Sequence, residues 1–230
     1  MKGKLYGVGV GPGDPELITI KALRLTKEAD LLAFPGEDPE ESIAYKIMKG
    51  AYPEISFKEK ISLPMPMTKE KEELKQVHDE GARIICSYLD QGKNVVFLTL
   101  GDPTVYSTYL YIHKRVRKKG YETEIISGIP SFCAVSARLN EGLVEKAQQL
   151  HVIPASYQIA EALELPGTKV LMKAGKKIQD VKEMLKVSGK NAVMIQNCGM
   201  LDEKIYRTVE EIPEDAGYYS LIIVKEKEEI

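Results

Sequence analysis

The chain has 230 residues, of which 43% are hydrophobic and 29% are charged, and its formal net charge is −2. This composition is typical of a soluble globular protein with one large or two small domains. A charge so close to zero provides no overall attraction for nucleic acid or an anionic membrane. No apolar stretch approaches the ~20 residues of a membrane-spanning helix, and no signal peptide is recognisable. We therefore expect a cytoplasmic protein that binds neither nucleic acid nor membrane.

The first predicted strand covers residues 5–10 and leads into a glycine-rich loop with the sequence GVGVGPGDPE. Asp14 is expected to cap the following helix, with Pro15 at its first position, where a missing N–H has no cost. The second strand is predicted at 29–34. Alternation of strands and helices along the chain indicates an α/β protein.

A polar, proline-rich section with helices at about 39–50 and 68–90 precedes a strongly apolar strand at 95–100. Asp102-Pro103 is then expected to open a helix that continues to about Lys119. The tripeptide Gly-Asp-Pro thus occurs twice, each time after an apolar strand. One copy alone is explained by a strand-to-helix turn. Two copies at the carboxyl ends of parallel strands favour loops that bind a ligand.

The second half begins with a strand at 122–126 and a helix of small residues that starts at Pro130. Further strands are predicted near 149–154, 168–173, 191–196, 204–209 and 218–225. This spacing indicates a mixed sheet in a second α/β domain. We place the domains at 1–126 and 127–230.

Cysteines, histidines and reactive side chains form no recognisable catalytic or metal motif. Cys86, Cys133 and Cys198 are odd in number and far apart, which favours reduced, unligated thiols. The dinucleotide pattern G-x-G-x-x-G fails, because its last position falls on Pro12 or on Asp14. Loops rich in exposed backbone suit a reaction in which the protein aligns two reactants, one already activated.

Six segments resemble the signatures of the tetrapyrrole methylase family, in the order that the family has them. GVGVGPGDPELITIKALRLTKEADLL resembles the first signature, LTLGDPTVYSTYLYI the second and ISGIPSFCA the third. VLMKAG, MIQNCG and YYSLIIVK are similar to the weaker C-terminal ones, so the resemblance covers essentially the whole chain. Within the family, SLPMPM, GDPTVYSTYLYI and GIPSFCA resemble the branch that methylates carbon 20 of precorrin-2 or cobalt-factor II in cobalamin synthesis.

The resemblance implies two α/β domains, unlike the Rossmann methyltransferases, with S-adenosylmethionine in a cleft between them, and a homodimer. Several of the implied cofactor contacts are main-chain contacts. The residues at the matching positions are Pro12, Leu100, Gly101, Asp102, Val105, Tyr106, Pro130, Ser131, Phe132, Ala174, Cys198 and Tyr219. Siroheme-forming relatives carry an aspartate where Pro35 stands here, so we assign no catalytic base. The spacing of the cysteines and histidines gives no metal site.

The implied substrate carries many carboxylates, which favours basic side chains around its site. Arg138, Lys173, Lys176 and Lys177 are the candidates, although lysines after MKAG are equally explained by a solvated helix. Three alternatives remain open at this point. They are another enzyme of the family (a different precorrin, siroheme-forming, diphthine-forming or ribosomal-RNA methylase), a nicotinamide dehydrogenase, and a tetrapyrrole-binding protein without enzymatic activity.

Overall fold

The computed structural model describes residues 1–66, 68, 70–154 and 159–226, apart from the side chain of Lys176. The chain divides into two compact units, Met1–Pro130 and Ser131–Ile230. The sequence prediction places the boundary after Ile126. Among the described residues, none of the helices is both long and apolar enough to cross a membrane.

The first unit is built on a five-stranded sheet in which every pair of neighbouring strands is parallel. The strands lie in the order β3-β2-β4-β1-β5. Their bounds are β1 (Leu5–Gly9), β2 (Leu31–Pro35), β3 (Lys60–Leu63), β4 (Val95–Thr99) and β5 (Thr123–Ile126). The helices of this unit are α1 (Ile20–Glu28), α2 (Ile43–Ala51), α3 (Lys71–Asp90) and α4 (Tyr109–Lys118).

Helices cover both faces of this sheet, which explains why its central strands are continuous apolar runs. Leu98 of β4 and Phe34 of β2 belong to the apolar cluster that α1 and α2 complete. Their sequence neighbours, such as Phe97, belong to the opposite cluster with α3 and α4. The strands β1 and β4 lie side by side, yet the helices that follow them cover opposite faces. Such a topological switch point is where open α/β sheets bind ligands, beyond the carboxyl ends of the strands.

Neither Gly-Asp-Pro segment begins an α-helix, contrary to the prediction for both. Asp14 caps only the short 3-10 helix Pro15–Leu17, and α1 begins later, where the Thr19 hydroxyl accepts a hydrogen bond from the Ala22 N–H at 3.2 Å. The predicted helix from Asp102 is wrong over its first part. Residues 103–108 form turns, and α4 begins at Tyr109. In both cases the aspartate side chain bonds the N–H two residues on, which stabilises a tight turn.

The second unit contains a five-stranded mixed sheet in the order β6-β7-β10-β8-β9. Among the strands that the structure describes here, only the β6–β7 pair is parallel. The strands are β6 (Leu150–Pro154), β7 (Thr168–Met172), β8 (Asn191–Gln196), β9 (Lys204–Tyr206) and β10 (Ser220–Lys225). One face packs against α5 (Ser131–Leu139), and the other packs against α6 (Ile159–Leu163) and α7 (Ile178–Ser188). The mixed sheet agrees with the prediction, although β9 ends three residues before the predicted 204–209 strand does.

Candidate functional site

Prolines mark every loop at the carboxyl edge of the first sheet. The strand β2 ends in Pro35, and the other four strands are followed by Pro12, Pro64, Pro103 and Pro130. Proline fixes the backbone and has no N–H to donate. A phosphate group needs a cluster of backbone N–H donors, usually at a helix N-terminus. This edge is therefore rigid and poor in donors, and it does not suit a dinucleotide pyrophosphate.

Glycines let three of these loops touch through their backbones. Gly11 and Gly101 form a two-way bridge, with N–O distances of 3.3 and 2.8 Å, and both have positive φ angles of 77° and 67°. A Cβ atom on Gly9 would lie 2.7 Å from the Gly128 nitrogen, and a Cβ atom on Gly128 would overlap the Gly101 carbonyl oxygen. The loops after β1, β4 and β5 are thus in contact at positions where no side chain fits.

Gly7 belongs to the same sequence run but serves a different purpose. It lies within β1, and a Cβ atom there would overlap the ring of Tyr109, the first residue of α4. Tyr109 is fully buried against this strand, and its burial raises the pKa of its hydroxyl. Gly7 therefore makes room for packing between sheet and helix, whereas Gly9 and Gly11 shape the loop.

The loop between β4 and α4 carries five of the residues that the resemblance implies for the cofactor: Leu100, Gly101, Asp102, Val105 and Tyr106. Its ends are joined by a hydrogen bond of 3.0 Å between the hydroxyls of Thr99 and Ser107. Ser107 also accepts a hydrogen bond from the Tyr109 N–H at 3.3 Å, at the start of α4. Tyr106 has a φ angle of 49° and is 44% exposed. A positive φ is strained for tyrosine, and strain of this kind is concentrated at functional sites.

Asp102 is buried, and its carboxylate points into the protein. One oxygen accepts hydrogen bonds from the Thr104 N–H at 2.7 Å and the Thr104 hydroxyl at 2.5 Å. The other accepts a hydrogen bond from the Gly128 N–H at 3.1 Å, in the loop after β5. Sequence reasoning missed Thr99, Ser107 and Gly128 as parts of the site, although a glycine two residues after the strand predicted at 122–126 was a usable signal for the last of them.

In the second unit, the loops after β7 and β8 share an edge of the sheet with the start of β10. This follows because β10 is antiparallel to both strands, with Leu221 opposite Met172 and Ser220 opposite Gln196. The predicted residues Ala174, Cys198 and Tyr219 lie in these three segments. The backbone carbonyl of Tyr219 accepts a hydrogen bond of 3.0 Å from the N–H of Asn197, the residue before Cys198.

Ser131 and Phe132 begin α5, which packs on one face of this second sheet. Phe132 and Cys198 contact the same apolar cluster. The sequence-predicted cofactor residues therefore form two groups. Those from Pro12 to Pro130 surround the carboxyl edge of the first sheet, and those from Ser131 to Tyr219 belong to the second unit.

The predicted basic side chains differ in their surroundings. Lys173 directly follows β7 with a φ angle of 61°, and its ammonium group lies 5.8 Å from the centre of the Tyr218 ring. Lys177 is exposed, and the side chain of Lys176 lies outside what the structure describes. Arg138 forms an ion pair of 2.7 Å with Glu203. Burial raises the pKa of Glu203, but hydrogen bonds from the Gly199 N–H and from Arg138 outweigh it, so that the net pKa is lowered.

The family model of tetrapyrrole (corrin/porphyrin) methylases matches residues 4–213. The chain belongs to this family. The probable cobalt-precorrin-2 C(20)-methyltransferase of Methanocaldococcus jannaschii is 34% identical over 227 residues, which cover 96% of each chain. The cobalt-precorrin-2 C(20)-methyltransferase of Salmonella typhimurium is 32% identical over 235 residues, which cover 99% of this chain and 98% of that protein. The family resemblance expected from the six segments is confirmed.

Solved structures of the same kind share the fold. A cobalt precorrin-4 methyltransferase gives a TM-score of 0.76 at 20% identity, with 96% of this chain and 94% of that chain covered. A uroporphyrin-III C-methyltransferase from Thermus thermophilus, solved with S-adenosylhomocysteine, gives a TM-score of 0.70 at 21% identity, with 97% of each chain covered. These likenesses confirm the predicted α/β fold and its distinction from the dinucleotide-binding one.

Proposed function

We propose that this protein is an S-adenosylmethionine-dependent C-methyltransferase that methylates carbon 20 of precorrin-2 or of its cobalt form in cobalamin synthesis. The observation that carries the proposal is the meeting of the three signature loops at the carboxyl ends of β1, β4 and β5, next to the topological switch point. The names of the relatives that match along nearly the whole chain support the substrate.

The first edge fits a methyl donor better than a phosphate-bearing cofactor. Gly9 and Gly128 are packed against neighbouring backbone with no room for a Cβ atom, and the surrounding prolines offer few N–H donors. S-adenosylmethionine supplies an activated methyl group with a neutral leaving group, so the chain needs neither an acid nor a metal for the departure. The loops after β1, β4 and β5 would bind and orient this cofactor and exclude water from it.

We retain all twelve sequence-predicted residues as proposed cofactor contacts, Asp102 through its main chain and not its carboxylate. Pro12, Leu100, Gly101, Asp102, Val105, Tyr106 and Pro130 would contribute from the first unit, and Ser131, Phe132, Ala174, Cys198 and Tyr219 from the second. The family resemblance implies that several of these contacts are made by main-chain atoms. Within the described residues, no group of three or more His, Cys, Asp or Glu side chains could hold a metal ion.

The carboxylates of the substrate would be bound by the second unit. Lys173 follows β7 with a positive φ angle, a backbone conformation that is strained for lysine but not for glycine. Its position beside Ala174 supports a role for the ammonium group in binding a substrate carboxylate. Arg138 is engaged with Glu203, so it would first have to exchange one carboxylate for another. We also propose that the protein acts in the cytoplasm as a homodimer, as the resemblance implies.

Calorimetry and a transfer assay test the proposal in two steps. The protein should bind S-adenosylhomocysteine, the product of methyl transfer. Incubation with S-adenosylmethionine and either precorrin-2 or cobalt-factor II should then increase the mass of the pigment by one methyl group. Binding without any mass gain on either pigment would exclude the proposed branch, and absence of binding would exclude the use of this cofactor.

A further inference from the structure

The carboxylate of Asp102 extends a turn that occurs three times among the described residues of the first unit. Asp14, Asp38 and Asp102 each precede a proline, and each accepts a hydrogen bond from the N–H two residues on, at 2.8, 2.8 and 2.7 Å. Asp102 alone of the three is buried, with only 7% of its surface exposed. Its carboxylate also binds the Thr104 hydroxyl and the Gly128 N–H.

The bond to Gly128 joins two loops that are distant in sequence. Asp102 follows β4, whereas Gly128 follows β5, and β1 lies between these strands in the sheet. Gly101 is bridged to Gly11 in the loop after β1. The Asp102 carboxylate therefore completes a chain of contacts that joins the ends of three strands. Both of its oxygens already accept hydrogen bonds from the protein itself.

We propose that Asp102 is a positioning residue: its carboxylate holds the second signature loop against the third and does not contact the methyl donor. Cofactor affinity then depends on Asp102 through the backbone of Gly101 and Gly128, whose arrangement the carboxylate fixes. This inference rests on the proposed function, since it concerns how the same site binds its cofactor. A match to a cofactor-binding signature suggests that the Asp102 side chain contacts the cofactor directly. In this proposal it acts through the backbone of the neighbouring loops instead.

Replacement of the Asp102 carboxylate by an amide distinguishes a residue that holds two loops together from one that contacts the cofactor. In Asp102→Asn one oxygen can still accept the hydrogen bond from Thr104, but the second position presents an N–H group to the Gly128 N–H. A lost charge-assisted hydrogen bond is worth a factor of roughly ten or more. We expect the Gly128 amide of the cofactor-free protein to exchange with solvent at least about tenfold faster, and the affinity for S-adenosylhomocysteine to fall by about tenfold or more.

The matched control is Asp38→Asn, which makes the same change in the same turn at an exposed position. It should leave both the Gly128 amide and the affinity for S-adenosylhomocysteine unchanged. Exchange is followed residue by residue in an assigned spectrum of protein labelled with ¹⁵N-glycine. If Asp102→Asn weakens binding while Gly128 exchange stays unchanged, the carboxylate contacts the cofactor and the inference is overturned. Faster exchange with unchanged binding overturns it as well.

A measurement on the unaltered protein decides the question even if Asp102→Asn does not fold. A scalar coupling across the hydrogen bond, between the Gly128 amide nitrogen and the Asp102 carboxylate carbon, reports the bond directly. We expect this coupling in the cofactor-free protein and its persistence after saturation with S-adenosylhomocysteine. A coupling that disappears on saturation would show that the carboxylate turns to the cofactor. A protein that shows the coupling but binds no S-adenosylhomocysteine refutes the proposed function and leaves the contact between the loops established.

Discussion

The two units present different kinds of loop edge. At the first sheet, Gly9, Gly101 and Gly128 bring backbone against backbone, and the prolines keep this arrangement rigid. At the second sheet, side chains occupy the corresponding strand ends, with Lys173 after β7 and Asn197 after β8, both at positive φ. We infer that the first edge takes its shape from glycines, which have no Cβ atom, and from prolines, which have no N–H. The second edge takes its character from charged and aromatic side chains.

The largest effect is expected from a methyl group added to the first edge. In Gly128→Ala the new Cβ atom would overlap the Gly101 carbonyl oxygen and lie 2.8 Å from the Gly9 carbonyl carbon. Backbone atoms cannot move aside as a flexible side chain can, so we expect destabilisation by about 2–3 kcal/mol and a loss of S-adenosylhomocysteine binding of about a hundredfold. Calorimetry and thermal unfolding measure the two effects.

The same substitution in the second unit provides the control for this prediction. A Cβ atom on Gly142 would have its nearest contact at 3.8 Å, from the Val144 carbonyl oxygen, which is an ordinary distance. Gly142→Ala should therefore change neither stability nor binding appreciably. Equal effects of the two substitutions would contradict the contrast between the edges.

A second comparison concerns two glutamates that each lie between two lysines. Glu124 in the first unit pairs with Lys4 and Lys21 at 2.8 and 2.7 Å, whereas Glu226 in the second unit pairs with Lys190 and with Lys169, which is fully buried. Glu226→Gln leaves a buried ammonium group without its counter-charge and should cost about 3 kcal/mol. Glu124→Gln should cost less than that, because its lysines remain partly solvated and water screens the pair.

Chemical denaturation of the two glutamine variants at neutral pH measures these costs. At acid pH the difference between wild type and Glu124→Gln should disappear. Hydrogen bonds from Lys21 and Lys4 lower the pKa of Glu124 from 4.5 to about 2, so the stability that the pair contributes above 4.5 is lost as the pH falls towards 2. A larger cost for Glu124→Gln than for Glu226→Gln would reverse the comparison.

A third prediction concerns the charge displayed by the second edge. Lys173→Gly relieves a positive φ and should stabilise the second unit by up to about 1 kcal/mol. It should also raise the KM for the tetrapyrrole about tenfold, because a charge-assisted hydrogen bond to a carboxylate is lost. Lys146→Gly removes an exposed lysine at a similar φ of 49° and serves as the control. Steady-state kinetics should show a raised KM for the first variant alone; equal KM values would exclude Lys173 as a substrate-binding residue.

The sequence predicted the order of strands along the chain and the loops that carry the site. Apolar runs such as 95–100 identify strands buried on both faces, and prolines and glycines mark where they end. The helix predicted from Asp102 failed because Asp-Pro is equally suited to a tight turn. The inward direction of the Asp102 carboxylate could not be predicted either. Its partner, Gly128, follows β5, and the two loops meet only because β1 lies between β4 and β5 in the sheet. The spacing of residues along the chain does not reveal that contact.

The smallest effect concerns the loss of stability between pH 7.5 and 5.5, which should be confined to the first unit. Burial lowers the pKa values of His78, which stacks on Tyr111, and of His113, which hydrogen bonds to Tyr109 at 3.1 Å. For His78, the nearby Arg115 lowers the pKa further, while Asp79 raises it. For His113, the cations Arg117 and Lys114 lower the pKa further. In the unfolded chain both histidines take up protons near pH 6.5. The stability that the two neutral histidines contribute is therefore fully present above pH 6.5, and the free energy of unfolding decreases as the pH falls below it.

Hydrogen exchange at pH 7.5 and 5.5, corrected for intrinsic rates, measures this stability separately for the two units. Opening of the α3 and α4 amides should become easier at the lower pH, and that of the β7 and β10 amides should not. The double variant His78→Gln/His113→Gln should lose the pH dependence. Equal loss of protection in both units would place the acid-sensitive groups elsewhere.

The position of a labelled methyl group tests the proposed function most directly. The protein would be incubated with S-adenosylmethionine that carries a ¹³C-methyl group and with precorrin-2 or cobalt-factor II, and the pigment would be analysed by NMR spectroscopy. We predict one new methyl carbon, attached at carbon 20, for each S-adenosylhomocysteine formed. A labelled methyl group at any other carbon, or none on either pigment, would contradict the assignment.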